Sequence, residues 1–338
     1  MNKILTDNFI LKIFENYGIS IKNYELIHNE FSTIYKLYSN QKSFILKIMN
    51  KNFDEKAILK EVNITNFLWT KGIVVSKYIQ CLNKKYYFKY NDKIVIMQEY
   101  IEGKTKEKNT GDKKQLLDSA KHLGLIVNAL EEYSYNDMKR YDINTDDKLN
   151  YLKKSNDKLE RIIKKAKRDK NYGNLIIYDL RAKQKMLNEF LLKNDFSGAE
   201  NVSIKKTHGD YTIRQFIYAG NEIKAIIDFV NAAELPIIWE IIRSYSYIDK
   251  ECIDGNFNID NLVEYTKEYM KYSSLNKYDL KYMPYIYLAQ MLNSTFGYAQ
   301  YLDNGNLDLL EFGMERTNIC RYLMMNYKQI SEKLQDLI

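Results

Sequence analysis

Proline is scarce in this chain, at 2 of 338 residues, and glycine is modest at 13. That composition excludes collagen-like and Pro/Gly-rich low-complexity sequences. Cysteine is also scarce. Cys81, Cys252 and Cys320 are far apart and form no Cys-x-x-Cys pair, so the pattern predicts reduced thiols and not a disulfide frame. The histidines are only His28, His122 and His208, too few and too scattered for a His-rich metal centre. No apolar run approaches the roughly 20 residues that span a bilayer, so no membrane partner is expected. Met1 to Leu5 give way to polar residues and do not read as a signal peptide. The expected location is the cytoplasm.

What is present is ordinary for a soluble protein, with 45% hydrophobic and 28% charged residues. Tyrosine is abundant, at 30. The length suffices for two lobes. The net charge of +7 comes from lysines spread along the chain, as in Lys164-Lys165-Ala166-Lys167-Arg168, interleaved with Asp157, Glu160 and Asp169. Mixed signs of this kind suit a solvated helix face, and no nucleic-acid partner is expected.

Taken in order, Thr6 or Asp7 can cap a first helix with Leu11, Ile13 and Phe14 apolar and Gly18 as its stop. Strands are predicted over 24–27 and 34–38, around a glycine-free loop, His28 to Thr33, that contains Ser32. The run Ser43-Phe44-Ile45-Leu46-Lys47-Ile48 puts a lysine inside an apolar strand. Such a lysine either finds an anionic partner or snorkels to water. A helix over 54–68 places Glu61 on the packing stripe of Ala57, Ile58, Ile64, Thr65 and Leu68. A Glu61–Lys47 ion pair is therefore expected, with Glu55 as the other partner to consider. Two further strands, 86–88 and 94–97, turn through Asn91-Asp92 and run into Gln98-Glu99-Tyr100-Ile101-Glu102-Gly103.

The most informative stretch is Thr207-His208-Gly209-Asp210-Tyr211-Thr212-Ile213-Arg214-Gln215, followed by Ile226-Ile227-Asp228-Phe229. Between them, 216–218 and 223–227 read as a hairpin turning at Ala219-Gly220-Asn221-Glu222. A hairpin with a carboxylate at each end can turn both toward one cleft.

This stretch resembles the His-Gly-Asp loop and metal-binding Asp of the aminoglycoside phosphotransferase family. That family is similar to protein kinases in fold and includes choline, homoserine and methylthioribose kinases and CotS-type spore-coat proteins. The resemblance implies an α+β, bilobal fold, with a small antiparallel-sheet lobe over 1–103 and a larger, mainly helical lobe over 104–338. It implies ATP and Mg²⁺ as cofactors and phosphorylation of a small-molecule hydroxyl, the acceptor unidentified. Asp210 would be the catalytic base and Asp228 the metal ligand. Lys47 matches the strand lysine that contacts the nucleotide phosphates, and Glu61 its helix partner. Ser32 falls in the phosphate loop, unless that loop is an ordinary hairpin turn. Gln98 falls at the gatekeeper position, and the Glu99 carbonyl and Ile101 amide fall where adenine is bound. His208 and Glu240 would support the loop. The family's Asn is replaced by Gln215, whose amide oxygen is still a hard ligand for Mg²⁺. That replacement and the glycine-free loop also suit an alternative, a catalytically inactive kinase-like or spore-coat-type structural protein.

Downstream, a buried helix is expected with Leu116, Ala120, Leu123, Val127 and Leu130 inside and His122 on the surface. Half-exposed helices follow over 151–170 and 174–193. Pro236 and Pro284 suit first turns of helices, and Asp260 suits a cap. Helical segments are expected over 285–302 and 307–327. Glu234 or Trp239 could reach the acceptor, although Trp239 reads better as core.

Overall fold

The computed structural model describes residues 5–29, 32–49, 54–143 and 148–338. The first helix, α1 (Asp7–Tyr17), starts where the Thr6 hydroxyl accepts from the Phe9 N–H and stops at Gly18, φ 67°. Its buried face is Phe9, Ile13 and Tyr17. The i, i+4, i+8 spacing of that set turns Leu11 and Phe14 outward, both about half exposed. An antiparallel sheet follows, made of β1 (Asn23–Asn29), β2 (Ser32–Tyr38), β3 (Ser43–Met49), β4 (Tyr87–Tyr90) and β5 (Lys93–Glu99), in the order β1-β2-β3-β5-β4. Lys47 lies in its centre, opposite Ile34 on one side and Ile96 on the other. Asn91 and Asp92 both take positive φ, which closes the β4–β5 hairpin in two residues. Of the expected phosphate loop, Glu30 and Phe31 lie outside the described residues. Helix α2 (Glu55–Thr70) connects β3 to the second hairpin and is capped by Asp54.

The rest is mainly helical. Helix α3 (Lys113–Glu131) opens with a capping box between Asp112 and Gln115 and buries all five expected apolar residues. After the short β6 (Lys139–Arg140) come α4 (Lys148–Ala166) and α5 (Gly173–Lys193), then β7 (Ile204–Thr207), β8 (Phe216–Ala219), β9 (Glu222–Ile226) and β10 (Ala233–Pro236). The chain ends in α6 (Ile237–Ile248), α7 (Ile259–Met270), α8 (Lys277–Asn293), α9 (Tyr298–Asn304) and α10 (Leu307–Gln335). The architecture is thus the expected α+β one, a sheet region followed by a helical part. No described helix is long and apolar enough to cross a membrane.

Four local expectations change. Pro236 ends β10 and precedes α6, because residues 233–236 pair with β7 and β6 in a small third sheet. Pro284 lies inside α8, which begins at the stronger Asn276–Asp279 capping box. The α7 cap is Asn258, with Asp260 in the first turn. The expected 285–302 helix is broken between α8 and α9 at Gly297, where φ is 95° and a Cβ would stand 2.6 Å from the Leu309 carbonyl oxygen.

The β8–β9 hairpin is fastened on both sides. The Ile226 N–H donates to the Val74 carbonyl (2.8 Å), and Tyr218 and Lys104 exchange backbone hydrogen bonds of 2.9 Å. Gly103 is required for that second approach, since a Cβ there would lie 2.5 Å from the Tyr218 oxygen. From α2, Ile64 and Leu68 enter the same core as α3 and α6. Cys81, Cys252 and Cys320 are free and buried.

Candidate active site

The His208–Asp210 loop leaves β7 through Gly209, whose φ is +78°. A Cβ at this position would stand 2.0 Å from the Asn231 carbonyl oxygen, so only glycine lets the loop approach the segment after Asp228. Glu240, fully buried on α6, holds the loop from below. One carboxylate oxygen accepts from the Gly209 N–H (2.9 Å) and the Thr207 hydroxyl, and the other from the Tyr211 N–H (3.0 Å). A buried carboxylate is tolerated when donors surround it in this way.

His208 joins the two acidic segments. Its Nε2 donates to the Ile227 carbonyl (2.9 Å), and its Nδ1 accepts from the Asp210 N–H (3.3 Å). Those two bonds call for the neutral tautomer with the proton on Nε2. Asp228 follows Ile227 in the left-handed region, φ 69° and ψ 59°. A residue other than glycine held there costs roughly 1–3 kcal/mol, a strain that clusters at functional sites. Its carboxylate has no hydrogen-bond or ion-pair partner among the described residues. The Gln215 carbonyl accepts from the Ile227 N–H (3.0 Å), which closes the hairpin base between the two acidic residues.

On the sheet side the expected Lys47–Glu61 salt bridge does not close. Glu61 is sealed in the core beside Tyr78, with Oε1 buried and unpartnered. Burial pushes its carboxyl upward, the Lys47 charge draws it down, and the Asp228 charge pushes it up again. Lys47, Glu61 and Asp228 therefore sense one another without direct pairing. Full burial keeps Glu61 in the core, while Lys47 stays half-buried in the sheet. Glu55 is no substitute, because it binds Lys89 (3.1 Å) and the Tyr87 hydroxyl.

At the end of β5, Gln98 is buried and donates to the Ser76 carbonyl (3.1 Å), while the Ser76 hydroxyl donates to the Glu99 carbonyl (2.8 Å). That carbonyl keeps one lone pair, and the Ile101 N–H has no acceptor among the described residues. Ser32 opens β2 opposite Met49. No cluster of three His, Cys, Asp or Glu able to hold a metal occurs among the described residues. The chemistry of the donors nonetheless fits Mg²⁺, which takes one or two carboxylates and completes its octahedron from phosphates and water.

Residues 25–266 match the sequence profile of the APH family, described as the phosphotransferase enzyme family. The chain belongs to that family. No curated protein sequence matches it. Among solved structures it is similar to an aminoglycoside phosphotransferase from Alicyclobacillus acidocaldarius (TM-score 0.66, 14% identity, 98% of each chain covered). It is also similar to an amicoumacin kinase in complex with AMP-PNP, Ca²⁺ and its ligand (0.62, 16%, 97% of this chain and 94% of that one). A third similar structure is a Plasmodium vivax ethanolamine kinase (0.58, 13%, 98% and 93%). These likenesses establish the protein-kinase-like fold.

In this phosphotransferase one residue at the site escaped the sequence reading. Arg243, on α6, donates through Nη2 to Asp210 Oδ1 in an ion pair. Its guanidinium lies 5.1 Å from the Trp239 ring centre and 5.3 Å from that of Tyr247. Burial opposes the guanidinium's charge, but the Asp210 carboxylate more than offsets it and raises the pKa. The available signal was the spacing 239, 243, 247, which is one helix face carrying two aromatic rings and a cation. The other Asp210 oxygen faces the Gln215 amide nitrogen at 3.4 Å. Beside the loop opens a cavity of about 570 Å³, reaching Gly209 and Asn231 and walled by Trp239, Tyr151, Phe196 and Leu235. Trp239 is therefore a wall of that cavity as well as a core contact. Glu234 is held by Arg140 (3.2 Å).

Proposed function

We propose that this phosphotransferase moves the γ-phosphoryl group of ATP to a hydroxyl of a small molecule, with the nucleotide held between lobes comprising residues 1–103 and 104–338. The observation that carries the reading is the pairing of Asp210 and Asp228 across one hairpin, locked by His208 and Glu240. Asp210 accepts the hydroxyl proton as the acceptor oxygen bonds to phosphorus and the bond to ADP breaks. Lys47 faces the α- and β-phosphates, Ser32 contacts phosphate, and the Glu99 carbonyl and Ile101 N–H bind the adenine edge. Glu61 sets the field at Lys47. Asp228 and the Gln215 amide oxygen would hold Mg²⁺, which when bound neutralises charge on the phosphates. The reading places the protein in the cytoplasm, in keeping with its free thiols.

Asp210→Asn should lower phosphotransfer by about 10²–10⁴-fold, the usual worth of a positioned base, while Gln215→Asn should preserve or raise it. ADP release with a panel of alcohols measures both. The Arg243 pair on Asp210 and Gln215 favour a second reading, a kinase-like protein without turnover. Nucleotide binding with no transfer by the parent or by Gln215→Asn would select that reading.

A further inference from the structure

The cavity beside Gly209 is apolar on most sides, with Leu191, Leu235 and Ile286 set among its aromatic walls. Aromatic rings next to a catalytic carboxylate are a common way to hold an ammonium group. Here three of the four lining rings already face the chain's own cations, and the fourth, Tyr151, ties its hydroxyl to the Ala289 carbonyl (3.2 Å). Arg243 lies on Trp239, Lys148 lies 5.8 Å from the Phe196 ring, and Lys139 lies 4.6 Å from that of Tyr141.

Three carboxylates near the cavity are taken in the same way, whereas Asp228 is unpaired among the described residues. Asp142 accepts from Arg140 Nε at 2.8 Å and Glu234 from its Nη1 at 3.2 Å, while Asp210 is held by Arg243. Among the described residues, Lys148 and Asp142 are the charged side chains that line the cavity, and Asp142, like Glu234 and Asp210 outside the lining, has a cation within the chain. A ligand ammonium would have to displace a tethered partner and then sit among like charges.

We propose that the acceptor entering this cavity is an uncharged alcohol with an apolar, ring-bearing body, and not an amino alcohol or a polyamino sugar. The proposal rests on the phosphotransferase reading above, since the hydroxyl must reach Asp210. Apolar walls with few polar groups are what such a ligand requires, and the cavity volume holds a fused two-ring body.

A matched pair tests it: 1-(2-naphthyl)ethane-1,2-diol against 2-amino-1-(2-naphthyl)ethanol, which differ only in a hydroxyl replacing an ammonium. Calorimetric titration of the full chain, with and without MgADP, should show the diol bound at least about ten-fold more tightly, the ratio that 1.4 kcal/mol of desolvation and repulsion would give. Arg140→Ala frees Asp142 and Glu234 on the exposed rim without touching the core, and should narrow that ratio by tightening the amine. Ala289→Phe, which fills the cavity from α8, should abolish diol binding and leave MgADP binding unchanged. Equal or tighter binding of the amine by the parent, or no binding of either compound, overturns the proposal. If the amine is phosphorylated and the diol is not, the acceptor class is wrong and the kinase reading stands. If neither MgATP nor MgADP binds, the kinase reading itself fails.

Discussion

Single residues at the site divide into those whose type is dictated by space and those whose type is dictated by charge. Gly209 is of the first kind. Gly209→Ala must bring a methyl carbon into the Asn231 carbonyl at positive φ, so it should destabilise by well over 1 kcal/mol, beyond the usual glycine-to-alanine effect. Denaturant titration would show a lowered midpoint, and transfer should fall with it. Arg243 is of the second kind. It fixes one Asp210 oxygen while its own position is fixed by Trp239 and Tyr247. Arg243→Met keeps bulk but releases Asp210, and a misplacement on the order of 1 Å costs about 10²-fold in rate. The expected result is a fall of that order in kcat with KM for ATP unchanged. Arg243→Lys should recover only part, since lysine keeps the charge but loses the planar fork and the stacking. An unchanged kcat in Arg243→Met would remove Arg243 from the positioning role. Asp210 and Asp228 could be picked out from the sequence because short motifs carry them. Arg243 could not, because its partner is thirty-three positions away and its ring neighbours look like core.

At the scale of elements, periodicity located nearly every helix and strand but misjudged how many sides each one buries. Helix α3 shows why. Its apolar stripe marks one inward face, yet the helix packs against α2, α6, α7, β7 and β9, so residues off the stripe are covered too. His122 is one of them. It was expected on the surface but is largely covered, and burial, followed by the neighbouring Lys121 charge, lowers its pKa from 6.5 to about 4. A histidine whose folded pKa is depressed takes up its proton more readily in the unfolded chain. Stability is therefore complete above pH 6.5 and lost as pH falls from 6.5 toward 4. A shift of that size corresponds to about 3 kcal/mol at the acid end. His122→Phe should flatten this part of the stability-versus-pH curve, and urea midpoints between pH 4.5 and 7 would show it. A parallel curve for the variant would mean that other groups set the acid limb. Helix α5 makes the same point. Its sequence reads as charged and half exposed, yet Lys183 is fully buried and donates to the Ser294 carbonyl. One strand pairing, β10 with β6 and β7, was also hidden, because four residues ending in Pro236 carry too little pattern to separate strand from helix start.

At the scale of the whole molecule, the sheet and the helical part meet through a few specific ties. Lys60 on α2 donates to the Ala232 carbonyl (3.0 Å), and Val74 binds Ile226. These ties bring Asp228 within electrostatic reach of Glu61, and the closeness has a cost, because the Asp228 charge makes ionisation of the buried Glu61 harder. A metal ion held at Asp228 would relieve that repulsion, since its charge offsets the carboxylate's. Asp228→Asn should therefore act with two signs. Without ligand it removes the repulsion, and the melting temperature should hold or rise. With ligand it removes the carboxylate proposed to hold the metal, and the stabilisation by MgATP should shrink. For the parent, nucleotide at 100 times its Kd adds about 2.7 kcal/mol, an upward shift that a thermal melt resolves readily. Melts of parent and variant, each with EDTA, with ATP alone and with MgATP, separate the terms. An Asp228→Asn protein less stable than the parent in EDTA would show that the carboxylate serves the fold. An undiminished MgATP shift in that variant would move the metal away from Asp228.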